Sequence, residues 1–270
     1  MGDKGVLSES QRRHYRDAGF VIPGYRLPSA NVEALRATLD RLIAENPGVR
    51  PERLVSAHIE GRNDEGVRGS ADFLELARDP GILDAVEQLI GPDIVLWGCQ
   101  IFCKPGGDGM EVPWHQYGHY WPIRPLETCT VWVALDASTI ENACLRVIPG
   151  SHRERKLYDH MREDRDDVVL SQKVAQGQFD EDTAVDVQLE AGQMSMHDVY
   201  LIHGSKPNRS SKRRAGVAIR YMPATSLFDR KLMARTAASG YTVDFTTRPI
   251  WLLRGEDRTG LNDFRTGHSR

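Results

Sequence analysis

The sequence predicts a mainly β protein, a sandwich or jelly roll carried on helices that come first in the chain. Helical periodicity is confined to residues 1–92, and after Gly91-Pro92 the chain turns to β-branched and aromatic runs broken by turn residues. The two kinds of pattern do not alternate, which argues for segregated helices and strands rather than a βαβ fold. With 270 residues the chain can bury one substantial core, so a single domain is expected: 1–92 as mostly helical support, 93–223 as the β core and 224–270 as loops covering one mouth.

The helices announce themselves by their ends and stripes. Ser8-Glu9-Ser10-Gln11 reads as a capping box opening a short helix to about Arg16, and Gly19 stops it before a brief strand, Phe20-Val21-Ile22. Val32, Leu35, Leu39, Leu42 and Ile43 recur on one face of a helix over 30–45. Residues 51–69 are polar and patternless and read as an exposed loop. Short helices follow near 71–78 and 81–90. Candidate strands are 93–104, 128–135, 144–148, 183–189, 193–203 and 216–222.

A net charge of −3 gives no electrostatic reason to bind nucleic acid or an anionic membrane, so small molecules are the expected partners. No stretch reaches bilayer-spanning length and no apolar leader opens the chain, so a cytoplasmic protein is expected. Cys99, Cys103, Cys129 and Cys144 lie in strand-like segments without a CxxC pair, as buried reduced thiols do. The Gly-rich run Lys104–Gly109 lacks the spacing and following helix of a phosphate loop. Ser195 and Cys144 find no base and orienting acid among the histidines, which removes hydrolase chemistry. Monomer and homodimer both stay open.

Chemistry concentrates in two segments. Trp97, Trp114, Trp121 and Trp132 surround the first, Trp114-His115-Gln116-Tyr117-Gly118-His119-Tyr120-Trp121-Pro122. The second is His197-Asp198-Val199-Tyr200-Leu201-Ile202-His203-Gly204-Ser205, with Arg214 eleven residues past His203. Any one of these tryptophans or histidines is more often a packed core residue than a ligand; the joint pattern carries the weight. Strand alternation puts Arg214 and Arg220 on one face, and Gln100 and Lys104 on one face.

Together with Glu141-Asn142-Ala143-Cys144-Leu145 and Pro149-Gly150-Ser151-His152, these segments resemble the phytanoyl-CoA dioxygenase family over about residues 93–223. The resemblance implies a double-stranded β-helix, the cupin-like jelly roll of about eight strands, and an Fe(II)- and 2-oxoglutarate-dependent dioxygenase that uses O2 to hydroxylate an unactivated C–H bond. It implies His115 and His203 as metal ligands and catalytic residues, because ferrous iron in such sites takes two imidazoles and one carboxylate on one face. Arg214 and Ser205 would hold the oxoacid, with Gln100, Lys104 and Trp132 near it. His119, Trp121 and Arg220 are expected on the substrate side. Arg124, Arg146 and Arg220 favour an anionic substrate.

The pattern breaks at the third ligand. Where the family carries Asp this chain has Tyr117, whose phenol keeps its proton near neutral pH. Its oxygen lies roughly 3 Å farther from the backbone than a carboxylate oxygen would. Three outcomes stay open: a weak two-histidine site of the kind seen in halogenating relatives, a substitute donor among His119, Asp108, Glu111 and Asp198, or a disabled centre. A weakened or inactive centre is favoured over a new ligand set. His197 is expected to be a hydrogen-bonded sandwich histidine.

Overall fold

The computed structural model describes residues 6–119, 121–231 and 245–268. The chain opens as its capping signal dictates. Gln11 N–H donates to Ser8 Oγ at 3.2 Å while Ser8 N–H donates to Gln11 Oε1 at 2.9 Å, starting α1 (Glu9–Ala18). Gly19, at φ +86°, ends it in the left-handed conformation that an L side chain resists. α2 (Ser29–Glu45) buries Val32, Leu35, Leu39 and Leu42 along one stripe. α3 (Ala71–Ala77) and α4 (Pro80–Ile90) are capped by the Ser70 and Asp79 side chains.

Two antiparallel sheets form the jelly roll. The major sheet runs in the order β1-β8-β5-β10-β3-β11, from strands Phe20–Val21 (β1), Ile94–Lys104 (β3), Cys129–Ala134 (β5), Met194–Asp198 (β8), Arg214–Pro223 (β10) and Trp251–Arg254 (β11). Leu54–Val55 (β2) also pairs with β3. The minor sheet runs β7-β6-β9-β4, from Val112–His115 (β4), Leu145–Val147 (β6), Val185–Val187 (β7) and His203–Ser205 (β9).

Strand alternation divides the major sheet cleanly. Cys99, Ile101, Cys103, Val131, Val133, Met194, Met196, Val217 and Ile219 face the helices and form one core with Leu39, Leu42, Ile82 and Val86. Each fully buried Leu or Ile contributes about 1.5–3 kcal/mol. The opposite face carries Gln100, Trp132, His197, Ala218 and Arg220 into the space between the sheets. Register aligns Arg220 with Thr130 and Thr130 with His197 in one cross-strand row. All four cysteines are buried free thiols.

The structure departs from the sequence reading in three places. Residues 51–69 are not an exposed loop: Leu54, Ala57 and His58 are buried, β2 joins the sheet, and Gly61–Arg62 pairs with Arg68–Gly69. These pairings are two residues long, too short for alternation to register. The expected strand 193–203 is two strands in two sheets, because Asp198 turns the chain by accepting from Tyr200 N–H at 2.8 Å. The tail expected as cover loops supplies β11 to the sheet edge, while the cover expected from residues 232–244 lies outside the described residues. Among the described residues no helix is long and apolar enough to cross a membrane.

Candidate metal centre and adjoining cavity

Antiparallel pairing of β4 with β9 sets His203 directly opposite His115. Their ring centroids stand 4.2 Å apart, and both residues are 1% exposed. Each ring is held by its own strand: His115 Nδ1 lies 2.8 Å from Pro113 O, and His203 Nδ1 lies 2.8 Å from Leu201 O. A carbonyl can only accept, so Nδ1 carries the proton in both and Nε2 keeps its lone pair. Neither Nε2 has a hydrogen-bond partner. Burial, reinforced by the other imidazole, holds His115 well below the usual histidine range, and burial pushes His203 down to about 4. Both are therefore neutral near pH 7. Two buried neutral imidazoles, anchored through Nδ1 with orphaned Nε2 atoms, are what a divalent metal requires of histidine ligands.

The third position does not fit as well. Tyr117 is buried, with its ring centroid 5.1 Å from His115 and 4.3 Å from His203. It stacks on Trp121 at 4.7 Å and lies nearly parallel to His197 at 5.6 Å. Among the described residues no three His, Cys, Asp or Glu side chains are placed so that they could hold a metal ion together. Three substitutes weighed from sequence are engaged elsewhere: Asp108 pairs with Arg50 at 2.8 Å, Glu111 with Arg165 at 2.7 Å, and His119 stacks on His160 at 4.5 Å. Asp198 caps the Tyr200 N–H.

His197 corrects the sequence reading. It is fully buried, yet neither ring nitrogen has a hydrogen-bond partner, and its centroid lies 4.9 Å from that of His203.

Beside the histidine pair, Arg214 is buried over the Trp132 ring at 5.2 Å, with Nη2 3.5 Å from Ser205 Oγ and Nε without a partner. Burial lowers its pKa to about 10, so the guanidinium stays charged at neutral pH. This contact depends on Gly216, where a Cβ would fall 2.0 Å from Trp132 Cζ2. Lys104 is the cross-strand partner of Arg214, but its ammonium donates to the carbonyls of Ser205 and Lys206. The hollow between His115, Tyr117, His203, Trp132 and Arg214 measures about 20 Å³. That is room for one water-sized group.

A larger cavity, about 350 Å³, is lined by Arg53, Gln100, Trp121, Gln172, Arg220 and Arg248 among others. Arg220 is 6% exposed; it donates to Gln100 Oε1 at 3.0 Å and lies over the rings of Tyr117, Trp121 and Trp97 at 5.0, 5.2 and 5.7 Å. Arg248 is neutralised by Glu65. Of the three arginines expected near the cavity, only Arg220 reaches it. Arg146 pairs with Glu181 and Asp186, and Arg124 donates to the backbone of Trp121 and Ile123. Gln100 lines this cavity rather than the hollow under Arg214. Arg53 and Arg248 escaped sequence reasoning because they come from segments without strand or helix periodicity.

Comparison with known proteins identifies the family. Residues 15–216 match the family model for phytanoyl-CoA dioxygenase. The peroxisomal phytanoyl-CoA dioxygenase of Bos taurus is 23% identical over 94% of this chain and 83% of its own length. The ectoine dioxygenase of Bordetella parapertussis is 26% identical over 80% of this chain and 75% of its own. Among solved structures, the non-haem monooxygenase ThoJ in its apo form superposes with a TM-score of 0.71 at 26% identity, covering 93% of this chain and 86% of that one. The chain belongs to the phytanoyl-CoA dioxygenase family of non-haem Fe(II)- and 2-oxoglutarate-dependent dioxygenases, whose third substrate is O2.

Proposed function

We propose that this protein hydroxylates an unactivated C–H bond of a small anionic organic molecule, with Fe(II) held by His115 and His203 and 2-oxoglutarate held by Arg214 and Ser205. The bound metal supplies the oxidative chemistry, in which 2-oxoglutarate and O2 yield succinate and carbon dioxide as the substrate C–H becomes C–OH. The chain's own residues do the rest. Pro113 and Leu201 carbonyls fix both imidazole tautomers, Arg214 offers a planar fork to the distal carboxylate, and Trp132 holds that fork flat.

The observation that carries the substrate class is Arg220. Among the described residues Arg220 meets Gln100 and three aromatic rings but no carboxylate, and a buried guanidinium left so is costly unless something anionic completes it. It forms part of the wall shared by the larger cavity and the aromatic cluster around the histidines. The four buried thiols are consistent with a reducing, cytoplasmic setting.

Tyr117 favours a second reading, in which the pocket persists and turnover is weak or lost: its ring takes the third-ligand position and leaves only the small hollow beneath Arg214. Succinate release separates the two. The protein and its Tyr117→Asp variant are loaded with Fe(II) and 2-oxoglutarate and offered small carboxylates, phosphonates and CoA esters. Turnover by the unaltered chain supports the hydroxylase; turnover only by the aspartate variant supports the second reading. Repeating the assay in chloride and looking for a chlorinated product tests halogenation. If neither protein binds iron or 2-oxoglutarate, both readings fail.

A further inference from the structure

The charged side chains that line the larger cavity differ in how their charges are met. Arg53 is exposed and donates to Val168 O at 2.6 Å, so water and a carbonyl share its charge. Arg248 is matched by Glu65 in an ion pair. Arg220 is 6% exposed; among the described residues its hydrogen bond goes to Gln100 Oε1, and its Nε has no partner. The two buried guanidiniums converge, with Arg248 Nη1 and Arg220 Nη1 lying 3.5 and 3.9 Å from the point that a Cβ on Gly98 would occupy. Among the described residues Glu65 is the one acid in this lining, so the buried end of the cavity is one negative charge short of balance.

We infer that the substrate is a singly charged free carboxylic acid with a compact apolar body, its carboxylate gripped between Arg220 and Gln100. The assignment of this ligand as substrate rests on the hydroxylase reading above.

The donors fit a carboxylate. A planar guanidinium matches a planar carboxylate, and Gln100, having spent its carbonyl oxygen on Arg220, keeps its amide N–H groups to donate to the same ligand. A doubly charged phosphate monoester would bring one more charge into the buried end than Arg220 can balance. Val55, Trp121, Val169, Leu170 and Phe245 supply apolar wall for the body of the acid. A volume of about 350 Å³ holds roughly a dozen water-sized groups at about 30 Å³ each, which excludes a CoA thioester, whose nucleotide carrier alone is larger. The Tyr117 ring links this end of the cavity to the histidine pair: Arg220 Cζ is 5.0 Å from its centroid, and the His203 centroid is 4.3 Å from it. A carbon a few bonds from the carboxylate is therefore the one brought toward the metal ligands.

Calorimetric titration of the full chain at pH 7.5 with octanoate, octanamide, hexyl phosphate and octanoyl-CoA tests the inference. One octanoate per chain is expected, bound at least tenfold more tightly than the neutral amide, the phosphate or the thioester. Arg220→Gln, which keeps a hydrogen-bonding side chain and removes the charge, is expected to bind acid and amide with equal affinity. Octanamide bound as tightly as octanoate, hexyl phosphate or octanoyl-CoA bound more tightly, no octanoate bound, or a preference for the acid retained in Arg220→Gln overturns it. The comparison of acid with amide in the unaltered protein decides the matter if the variant fails to fold. Succinate release by the iron-loaded protein separates this inference from the proposed function. Octanoate held through Arg220 without succinate release removes the hydroxylase reading and leaves the carboxylate site, whereas succinate release on hexyl phosphate or octanoyl-CoA without octanoate binding does the reverse.

Discussion

His115 and His203 face one another across two short antiparallel strands, 4.2 Å between ring centroids, each pinned by its Nδ1 to the carbonyl two residues before it. Because the strand pairing positions both rings, neither should compensate for loss of the other. His115→Ala and His203→Ala are each expected to lower Fe(II) affinity at least 100-fold, and the double variant to add little beyond either single change. Metal titration of the three proteins checks this; additive losses would mean the two rings bind independently.

Tyr117 stacks on Trp121 and packs against His203 and His197. Tyr117→Asp removes that packing and restores a carboxylate at the same point of the chain. Metal-free, the variant should be less stable by about 2–4 kcal/mol, as expected for truncating a buried aromatic ring. With Fe(II) it should bind metal at least tenfold more tightly and release succinate faster. Denaturant unfolding and metal titration read the two effects separately.

Arg214 and Trp132 form a stacked pair that Gly216 makes possible. Arg214→Lys keeps the charge but loses the planar fork, so 2-oxoglutarate should bind about 10–100-fold more weakly while Fe(II) affinity is unchanged. Gly216→Ala pushes into the indole and should produce the same loss together with about 1–3 kcal/mol of destabilisation. A normal oxoacid affinity in both variants would remove Arg214 from the cosubstrate site.

The elements legible from sequence were those with a long repeat. The stripe from Val32 to Leu42 marked α2, the Ser8–Gln11 box marked its predecessor, and alternation correctly placed Arg214 and Arg220 on one strand face. The pairing of His115 with His203 was reachable only through a resemblance, since nothing in one dimension says that residues 115 and 203 share a register. His197 was misread for a related reason: whether a histidine nitrogen has a partner is a property of the packing around it, not of its neighbours in the chain. Leu54–Val55 and the arginines at 53 and 248 were illegible because two-residue strands and irregular segments carry no period.

Four imidazoles with at most 1% exposure make the metal-free fold sensitive to acid. Burial, with the charges of Arg248 and Arg220, pushes His58 down to about 3; burial pushes His203 to about 4 and holds His115 and His197 well below the usual range. Unfolded, each titrates near 6.5. The unfolded chain therefore binds more protons than the folded one below that pH. Stability should be full above about pH 6.5 and fall as the pH drops toward 4, by up to about 1.4 kcal/mol per pH unit for each imidazole. Denaturation midpoints measured between pH 7 and 4 should show this, and His58→Phe should flatten the slope. A flat profile over that range would mean the rings are protonated in the fold.

The most direct test of the account is anaerobic Fe(II) binding by the unaltered protein, followed by 2-oxoglutarate, set beside His203→Ala. One Fe(II) per chain is expected, with a visible charge-transfer absorption on adding the oxoacid and loss of both in the variant. Iron bound equally well without His203, or no iron bound by the unaltered chain, would contradict it.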